Sequence, residues 1–226
     1  MALTPCPDRR TNALVTVESG FTYEYSQPDE YHFCQDSVIA PWVIAQDLPS
    51  DLSADLKVLD VCAGCGVFGF ELAFHRTDIA HIDFLEVQSV FQPHFARNAE
   101  TVRAARGSGE FRFIQDNYRE LAAPVFAAKY DLVIANPPYF HSSEGSLTAE
   151  PVKTRARFFM DASFQDLVSG VVNSLKPSGF AYLLVKSGDK HDRDHLMTIK
   201  SIAWNREVRV IADVRGTNLV RIGQIS

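Results

Sequence analysis

The segment VLDVCAGCGVFG, residues 58–69, joins two apolar runs through a glycine-rich turn. Residues 57–61 form a compact apolar run that predicts a buried strand, and residues 67–75 predict the helix that follows. Gly64 and Gly66 allow the backbone to turn tightly and to approach a ligand closely. The amino end of the helix offers unpaired N–H groups and a partial positive charge at the same place. The segment therefore predicts a strand–turn–helix unit with a binding site in its turn.

The rest of the chain continues this alternation of strands and helices. Apolar runs predict six further strands, at residues 81–87, 111–115, 130–135, 180–186, 208–214 and 219–225. Helical patterns occupy residues 92–105, 164–175 and 192–204, the second of which stops at residues 177–179. The prediction is an α/β, doubly wound, mostly parallel seven-stranded sheet that a closing antiparallel hairpin completes. Ligands of such sheets bind beyond the carboxyl ends of the strands.

The first part of the chain has a different pattern. Residues 14–18 and 21–25 alternate around a Ser-Gly pair, which predicts a hairpin. Residues 36–46 predict a short helix with Asp36 as its N-cap. We expect an N-terminal extension at residues 1–46, with hairpin and helix over the ligand site, and a main domain at residues 47–226.

The composition favours a compact chain in a reducing compartment. With 226 residues and 46% hydrophobic content, the chain can bury one sizeable core. No apolar run reaches the length of about 18 residues that spans a bilayer, and the first residues lack a secretory pattern. Four irregularly spaced cysteines do not suggest a disulfide framework. We expect a cytoplasmic monomer that does not contact a membrane.

Charge is divided unevenly between the two parts of the chain. The net charge of −6 argues against a nucleic-acid partner, but residues 1–150 carry −11 and residues 151–226 carry +5. This asymmetry is compatible with a polyanion that contacts the second part. An ordinary solvated surface is the alternative interpretation.

Acidic residues end the first three regular strands. Asp60 precedes the glycines, where a carboxylate can face an ammonium group and would repel a pyrophosphate. Glu86 ends the second strand, where it can accept hydrogen bonds from both ribose hydroxyls. Asp116 follows the third strand and can accept a hydrogen bond from an adenine amino group. Together these acids predict S-adenosylmethionine as the cofactor, whereas the glycine pattern alone would also suit a dinucleotide.

Cys62 and Cys65 form a C-x-x-C pair within the glycine turn. Such a pair could be a redox couple or half of a zinc site. Tetrahedral zinc needs two more ligands, and no second C-x-x-C or H-x₃-H pattern is present. We therefore interpret both cysteines as small loop residues and expect no metal.

The fourth strand runs directly into Asn136-Pro137-Pro138-Tyr139. Two prolines fix the backbone and remove two N–H donors, so the loop presents carbonyl acceptors in a rigid arc. Acceptors at Asn136 and Pro137 would bind the N–H groups of a planar amine and localise its lone pair for attack on the sulfonium methyl. Tyr139 would stack on the flat ring. The loop therefore predicts N-methylation of an exocyclic amine.

These motifs resemble those of the class I, Rossmann-like methyltransferases. Within that class the chain is similar to the bacterial tRNA adenine-N6 methyltransferases that modify the adenine beside the anticodon of a valine tRNA. The segment YHFCQDSV at residues 31–38, the NPPY motif with Phe140 after it, and residues 218–222 carry this resemblance. It implies RNA, and tRNA in particular, as the partner. It also implies cofactor contacts from Asp36, Asp60, Ala63, Gly64, Cys65, Gly66, Glu86, Val87, Asp116, Asn117 and Asn136.

The same resemblance implies substrate contacts from Tyr139, Phe140, Lys153, Arg155 and Arg157. The three basic residues could hold phosphates, or they could belong to a solvated loop. Three other substrates suit the same amine chemistry: a protein glutamine amide, guanine N2 and a DNA adenine. A non-catalytic partner subunit that binds S-adenosylmethionine is the alternative outside enzymes.

Overall fold

The computed structural model describes residues 22–29, 31–50, 56–138, 154, 162–186 and 195–225. Seven strands form one sheet in the order β3-β2-β1-β4-β5-β7-β6, with β7 antiparallel to both neighbours and β1 to β5 parallel. Their bounds are β1 Lys57–Val61, β2 His81–Glu86, β3 Glu110–Gln115, β4 Tyr130–Ala135, β5 Leu175–Lys186, β6 Glu207–Asp213 and β7 Thr217–Gly223. The predicted fold class is confirmed.

Helices cover both faces of the sheet. They are α1 Asp36–Asp47, α2 Val67–His75, α3 Gln92–Arg106, α4 Phe164–Ser174 and α5 His195–Ile202. Buried residues of α1, α2 and α3 pack in one apolar cluster, and those of α4 and α5 pack in another on the opposite face. Both faces of the central strands are therefore buried, which explains why their sequences read as continuous apolar runs.

Successive strands are added on one side of β1 up to β3 and on its other side from β4 onward, so the strand order reverses between β1 and β4. Strand β1 pairs with β2 on one side, Leu59 opposite Asp83, and with β4 on the other, Leu59 opposite Val133. The loops after these parallel strands leave the same edge and diverge, which opens a crevice at this position. The glycine turn and the Asn-Pro-Pro loop therefore follow neighbouring strands.

Strand β5 begins five residues before its predicted start, and the preceding helix ends at Ser174. Tyr130 pairs with Leu175 and Leu132 pairs with Phe180, so residues 176–179 form a bulge opposite Asp131. A Cβ at Gly179 would lie 3.0 Å from the Asp131 carbonyl oxygen. The bulge accommodates Pro177 within the strand, a residue that a regular central ladder would exclude.

The N-terminal segment also differs from its prediction. Residues 22–25 contain no strand, so the prediction of a second hairpin strand is wrong for these residues. Residues 14–18, the first predicted strand, lie outside the described part of the chain. Side-chain bonds hold this segment instead, since Thr22 and Tyr25 donate hydrogen bonds to Glu71 of α2. Asp36 is the first residue of α1 rather than its N-cap, a position that Gln35 occupies.

Membrane-spanning helices and metal centres are both absent from the residues that the structure describes. Among those residues, no helix has both the length and the apolar character that crossing a membrane requires. The same part of the chain contains no group of three or more His, Cys, Asp or Glu side chains arranged to bind a metal ion.

Candidate active site

The turn after β1 depends on left-handed backbone conformations. Cys62, Gly64 and Gly66 have φ values of 61°, 55° and 87°. Gly66 also caps α2, and its N–H donates to the Ala63 carbonyl at 2.8 Å. A Cβ at Gly66 would lie 2.5 Å from the Phe70 ring. Glycine is therefore required at position 66 by conformation and by space.

The two cysteines of the turn have structural surroundings. Cys65 is buried, and burial raises the pKa of its thiol to about 12, so the sulfur stays protonated and weakly nucleophilic. Cys62 is half-buried against the apolar cluster of α4 and α5, in a conformation that disfavours a side chain. The environment of Cys65 therefore does not favour a reactive thiolate.

Asp60 is a fully buried carboxylate with one unused oxygen. Its Oδ2 accepts a hydrogen bond from the Gly69 N–H at 2.9 Å, whereas Oδ1 has no hydrogen-bond partner. Burial raises the pKa of the Asp60 carboxyl well above its ordinary value, and the charge of Glu86 raises it further. A buried carboxylate oxygen without a partner is costly, and a cationic donor would stabilise it. The ammonium group of S-adenosylmethionine is such a donor.

Glu86 ties the end of β2 to the glycine turn. Its Oε2 accepts from the Gly64 N–H at 3.0 Å, and its Oε1 accepts from the Gln88 N–H at 2.9 Å. Each carboxylate oxygen has a second lone pair for a further donor, such as a ribose hydroxyl. Val87, half-buried, continues the chain from this carboxylate.

Asp116 and Asn117 lie at the neighbouring end of β3. The Asp116 N–H donates to the Glu86 carbonyl at 3.2 Å, so the two strand ends are adjacent. The Asp116 side chain is exposed, and its Oδ1 accepts from the Asn117 N–H. Asn117 in turn accepts from the Arg119 N–H and caps a short 3₁₀ helix. Asp116 is accessible to a ligand amino group that approaches the open edge.

Asn136 follows β4, and Pro137 is buried directly after it. The Asn136 side chain is half-buried, and its Nδ2 donates to the Ser37 hydroxyl at 3.1 Å. The other residues predicted to contact substrate, Tyr139, Phe140, Lys153, Arg155 and Arg157, lie outside the described part of the chain. The described site therefore brings the catalytic asparagine candidate to the first turn of α1.

The segment before α1 packs on the glycine turn. Tyr31 and Phe33 pack against a small cluster of four buried side chains, and Tyr31 contacts the Phe91 ring at 6.0 Å between centroids. The four members are Val38, Cys65, Val67 and Phe91. This aromatic segment therefore lies beside the turn predicted to hold the cofactor.

Asp36 is buried at the start of α1, and burial raises the pKa of its carboxyl. Its Oδ1 lies 3.8 Å from Nε of Arg215, in the turn between β6 and β7, and Arg215 also donates to the Gln35 side chain. Sequence reasoning identified Asp36 but missed Ser37 and Arg215. Ser37 adjoins a selected residue, whereas no local pattern singled out Arg215.

Comparison with known proteins agrees with this geometry. A family model described as "Methyltransferase small domain" matches residues 33–182, more than half of the chain. The chain belongs to the methyltransferase small domain family. Its enzyme class is methyltransferase, and its cofactor is S-adenosylmethionine, as predicted; the unpartnered Asp60 oxygen fits that cofactor.

Relatives of this methyltransferase include two that bear one name, tRNA1(Val) (adenine(37)-N6)-methyltransferase. The protein from Shewanella putrefaciens is 28% identical over 74% of this chain and 67% of its own length. The protein from Aliivibrio fischeri is 28% identical over 68% of this chain and 65% of its own length. The chain thus spans about two thirds of the length of these curated relatives.

Solved structures share the fold of this methyltransferase. TrmN from Thermus thermophilus superposes with a TM-score of 0.53 at 19% identity, over 83% of this chain and 48% of that protein. A putative S-adenosyl-L-methionine-dependent methyltransferase from Methanococcus maripaludis gives 0.53 at 13% identity, over 85% of this chain and 89% of that protein. At these identities the likeness concerns the fold.

Asp60→Asn is expected to weaken S-adenosylmethionine binding about tenfold or more and to raise the unfolding free energy of the cofactor-free protein by about 1 kcal/mol. The raised pKa means that folding favours the protonated carboxyl. Wild-type stability therefore falls as pH rises above the ordinary aspartate pKa of about 4, and the advantage of the variant grows over that range. Urea unfolding from pH 4 to 8 and calorimetric titration with cofactor measure both effects.

The exposed Asp116 provides the matched control for this variant. Asp116→Asn removes a carboxylate that is not buried, so the stability of the cofactor-free variant should match that of the wild type at each pH in this range. If Asp60→Asn bound cofactor as tightly as the wild type, Asp60 would not face the ammonium group.

Proposed function

We propose that this methyltransferase transfers a methyl group to the exocyclic N6 of an adenine in RNA, with tRNA as the substrate. The observation that carries the proposal is the position of Asn136 and Pro137, which follow β4 beside the glycine turn of β1. An acceptor loop at the crevice between β1 and β4 suits an amine that must meet the cofactor.

The proposed chemistry relies on hydrogen-bond acceptors. The lone pair of an adenine amino nitrogen is delocalised into the ring, which makes that nitrogen a weak nucleophile. The Asn136 side-chain carbonyl and the Pro137 backbone carbonyl accept its two N–H bonds and favour a pyramidal nitrogen. S-adenosylmethionine, when bound, supplies an electrophilic methyl group on sulfur. Transfer breaks the methyl–sulfur bond as the nitrogen–carbon bond forms, and the sulfur leaves as a neutral thioether. The nitrogen then gives its proton to water, so the loop needs no strong base and its contribution is positioning.

The relatives and the charge distribution favour RNA as the substrate. Both curated relatives bear names that specify N6 of an adenine in a tRNA. Residues 151–226 carry a net charge of +5, which suits contact with phosphates. Methylation of a protein glutamine amide is the second candidate, because the same acceptors suit an amide nitrogen and the whole chain carries −6.

Transfer of radiolabelled methyl to three pools tests the substrate class. The pools are undermethylated tRNA, other RNA and a protein extract, each incubated with S-adenosylmethionine and either wild type or Asn136→Ala. Label in tRNA that the variant loses is the expected result. Label in a protein band would contradict RNA as the substrate and favour methylation of a protein amide. No label in any pool, with cofactor bound, would contradict the proposed substrate and favour the non-catalytic partner subunit.

A further inference from the structure

Ser37 connects the N-terminal helix to the proposed catalytic loop. Its Oγ accepts a hydrogen bond from Asn136 Nδ2 at 3.1 Å, although the two residues are 99 positions apart in sequence. Ser37 is 6% exposed, so its hydroxyl is removed from water. A buried hydroxyl is costly unless it forms a hydrogen bond, and the contact with Asn136 provides one.

The bond to Ser37 holds the Asn136 amide, and Nδ2 is the donor in this contact. The amide nitrogen is only a donor and the amide oxygen is only an acceptor. Because Ser37 Oγ accepts from Nδ2, the nitrogen faces α1 and the carbonyl oxygen is turned away from that contact. A target amine needs an acceptor from Asn136. The observed orientation is the one that this chemistry requires, whereas the flipped amide would present a donor to the amine.

The first turn of α1 is itself anchored. The Ser37 N–H donates to the Cys34 carbonyl at 3.1 Å. Arg215, in the turn between β6 and β7, contacts both Gln35 and Asp36 just before Ser37. These contacts come from the chain before α1 and from the far end of the sheet. They fix the position of the serine hydroxyl relative to the loop after β4.

We propose that Ser37 is a positioning residue for methyl transfer, which holds the Asn136 side chain at the place where its carbonyl oxygen accepts from the target amine. The inference rests on the proposed function and deepens it, since it makes the N-terminal helix part of the catalytic centre. Ser37 acts through Asn136 and does not itself contact the reacting atoms.

Kinetics of Ser37→Ala test this role. The variant is expected to lower kcat about tenfold on whichever pool accepts methyl, with KM and the Kd of S-adenosylmethionine unchanged. In an Asn136→Ala background the same change is expected to lower kcat no further, because the side chain through which Ser37 acts is absent. Ser174→Ala is the matched control, since that buried helical hydroxyl donates to the Val171 carbonyl of its own helix. It should leave kcat unchanged.

A spectroscopic measurement tests the same contact without activity. In a side-chain amide ¹⁵N–¹H correlation spectrum, the two N–H signals of Asn136 are assigned as those that disappear in Asn136→Ala. Ser37→Ala should shift this pair and speed its exchange with water, whereas Ser174→Ala should leave it in place. This comparison needs neither cofactor nor substrate.

The outcomes separate the inference from the function on which it rests. An unmoved Asn136 amide signal in Ser37→Ala, or an equal fall in kcat with and without Asn136, would overturn the positioning role. Wild type that methylates no pool would overturn the proposed function. The amide signal would then still decide whether Ser37 orients Asn136.

Discussion

Asn136→Ala is expected to lower kcat for methyl transfer by about 10²- to 10³-fold while cofactor binding stays close to that of the wild type. The side chain is the one acceptor in the described part of the loop that a substitution can remove, because the Pro137 carbonyl belongs to the backbone. Its loss leaves the amine nitrogen planar and weakly nucleophilic. Single-turnover methyl transfer at saturating cofactor measures the effect on the chemical step.

Asn173→Ala is the matched control for this loss. Asn173 is also half-buried, but its Nδ2 donates to the Leu121 carbonyl in the helical layer behind the sheet. Its removal should change stability without a specific effect on kcat. If Asn136→Ala kept more than about a tenth of wild-type kcat, the acceptor role of Asn136 would be wrong.

Gly66→Ala is expected to lower the free energy of unfolding by about 3 kcal/mol and to abolish measurable cofactor binding. Two penalties combine at this position. The backbone has a φ of 87°, which costs an alanine about 1–2 kcal/mol. The new Cβ would also lie 2.5 Å from Phe70 and 3.0 Å from Phe95, and these rings pack together in the core. Urea unfolding measures the stability.

Gly107→Ala separates these two penalties. Gly107 caps the carboxyl end of α3 with a φ of 74°, but a Cβ added there would meet no atom within 4 Å. This variant should lose only about 1 kcal/mol, the backbone part of the cost. Equal decreases in the free energy of unfolding for the two variants would show that Phe70 and Phe95 can move to accommodate a methyl group, which would contradict the steric part of the argument.

Local sequence patterns were sufficient to predict the sheet, and they selected residues that lie together at one edge of the candidate site. The apolar run of β1, the glycines after it and the acids at the ends of β1 to β3 are local signals, and each strand or turn forms from consecutive residues. Glu86 could be selected because it ends the second strand, at the carboxyl edge where ligands of such sheets bind. The position of Asn136 followed in the same way.

Other features depend on contacts between distant parts of the chain. The Ser37–Asn136 bond and the Arg215–Asp36 pair need the folded sheet before their partners meet. In the structure, residues 176–179 form a bulge of β5 opposite Asp131. The local pattern of Pro177 and Gly179 predicted only the end of a helix, because it contains no information about the partner strand. The hairpin prediction was wrong at residues 22–25, where the hydroxyls of Thr22 and Tyr25 donate to Glu71 of α2. This contact joins residues far apart in sequence, so no local pattern indicated it.

Nucleoside analysis of tRNA methylated by this enzyme tests the central claim most directly. Undermethylated tRNA would be incubated with S-adenosylmethionine and wild type or Asn136→Ala, digested to nucleosides and separated by mass spectrometry. We expect N6-methyladenosine with the wild type and almost none with the variant. Methyl recovered on guanine N2, or N6-methyladenosine formed equally by both proteins, would contradict the account.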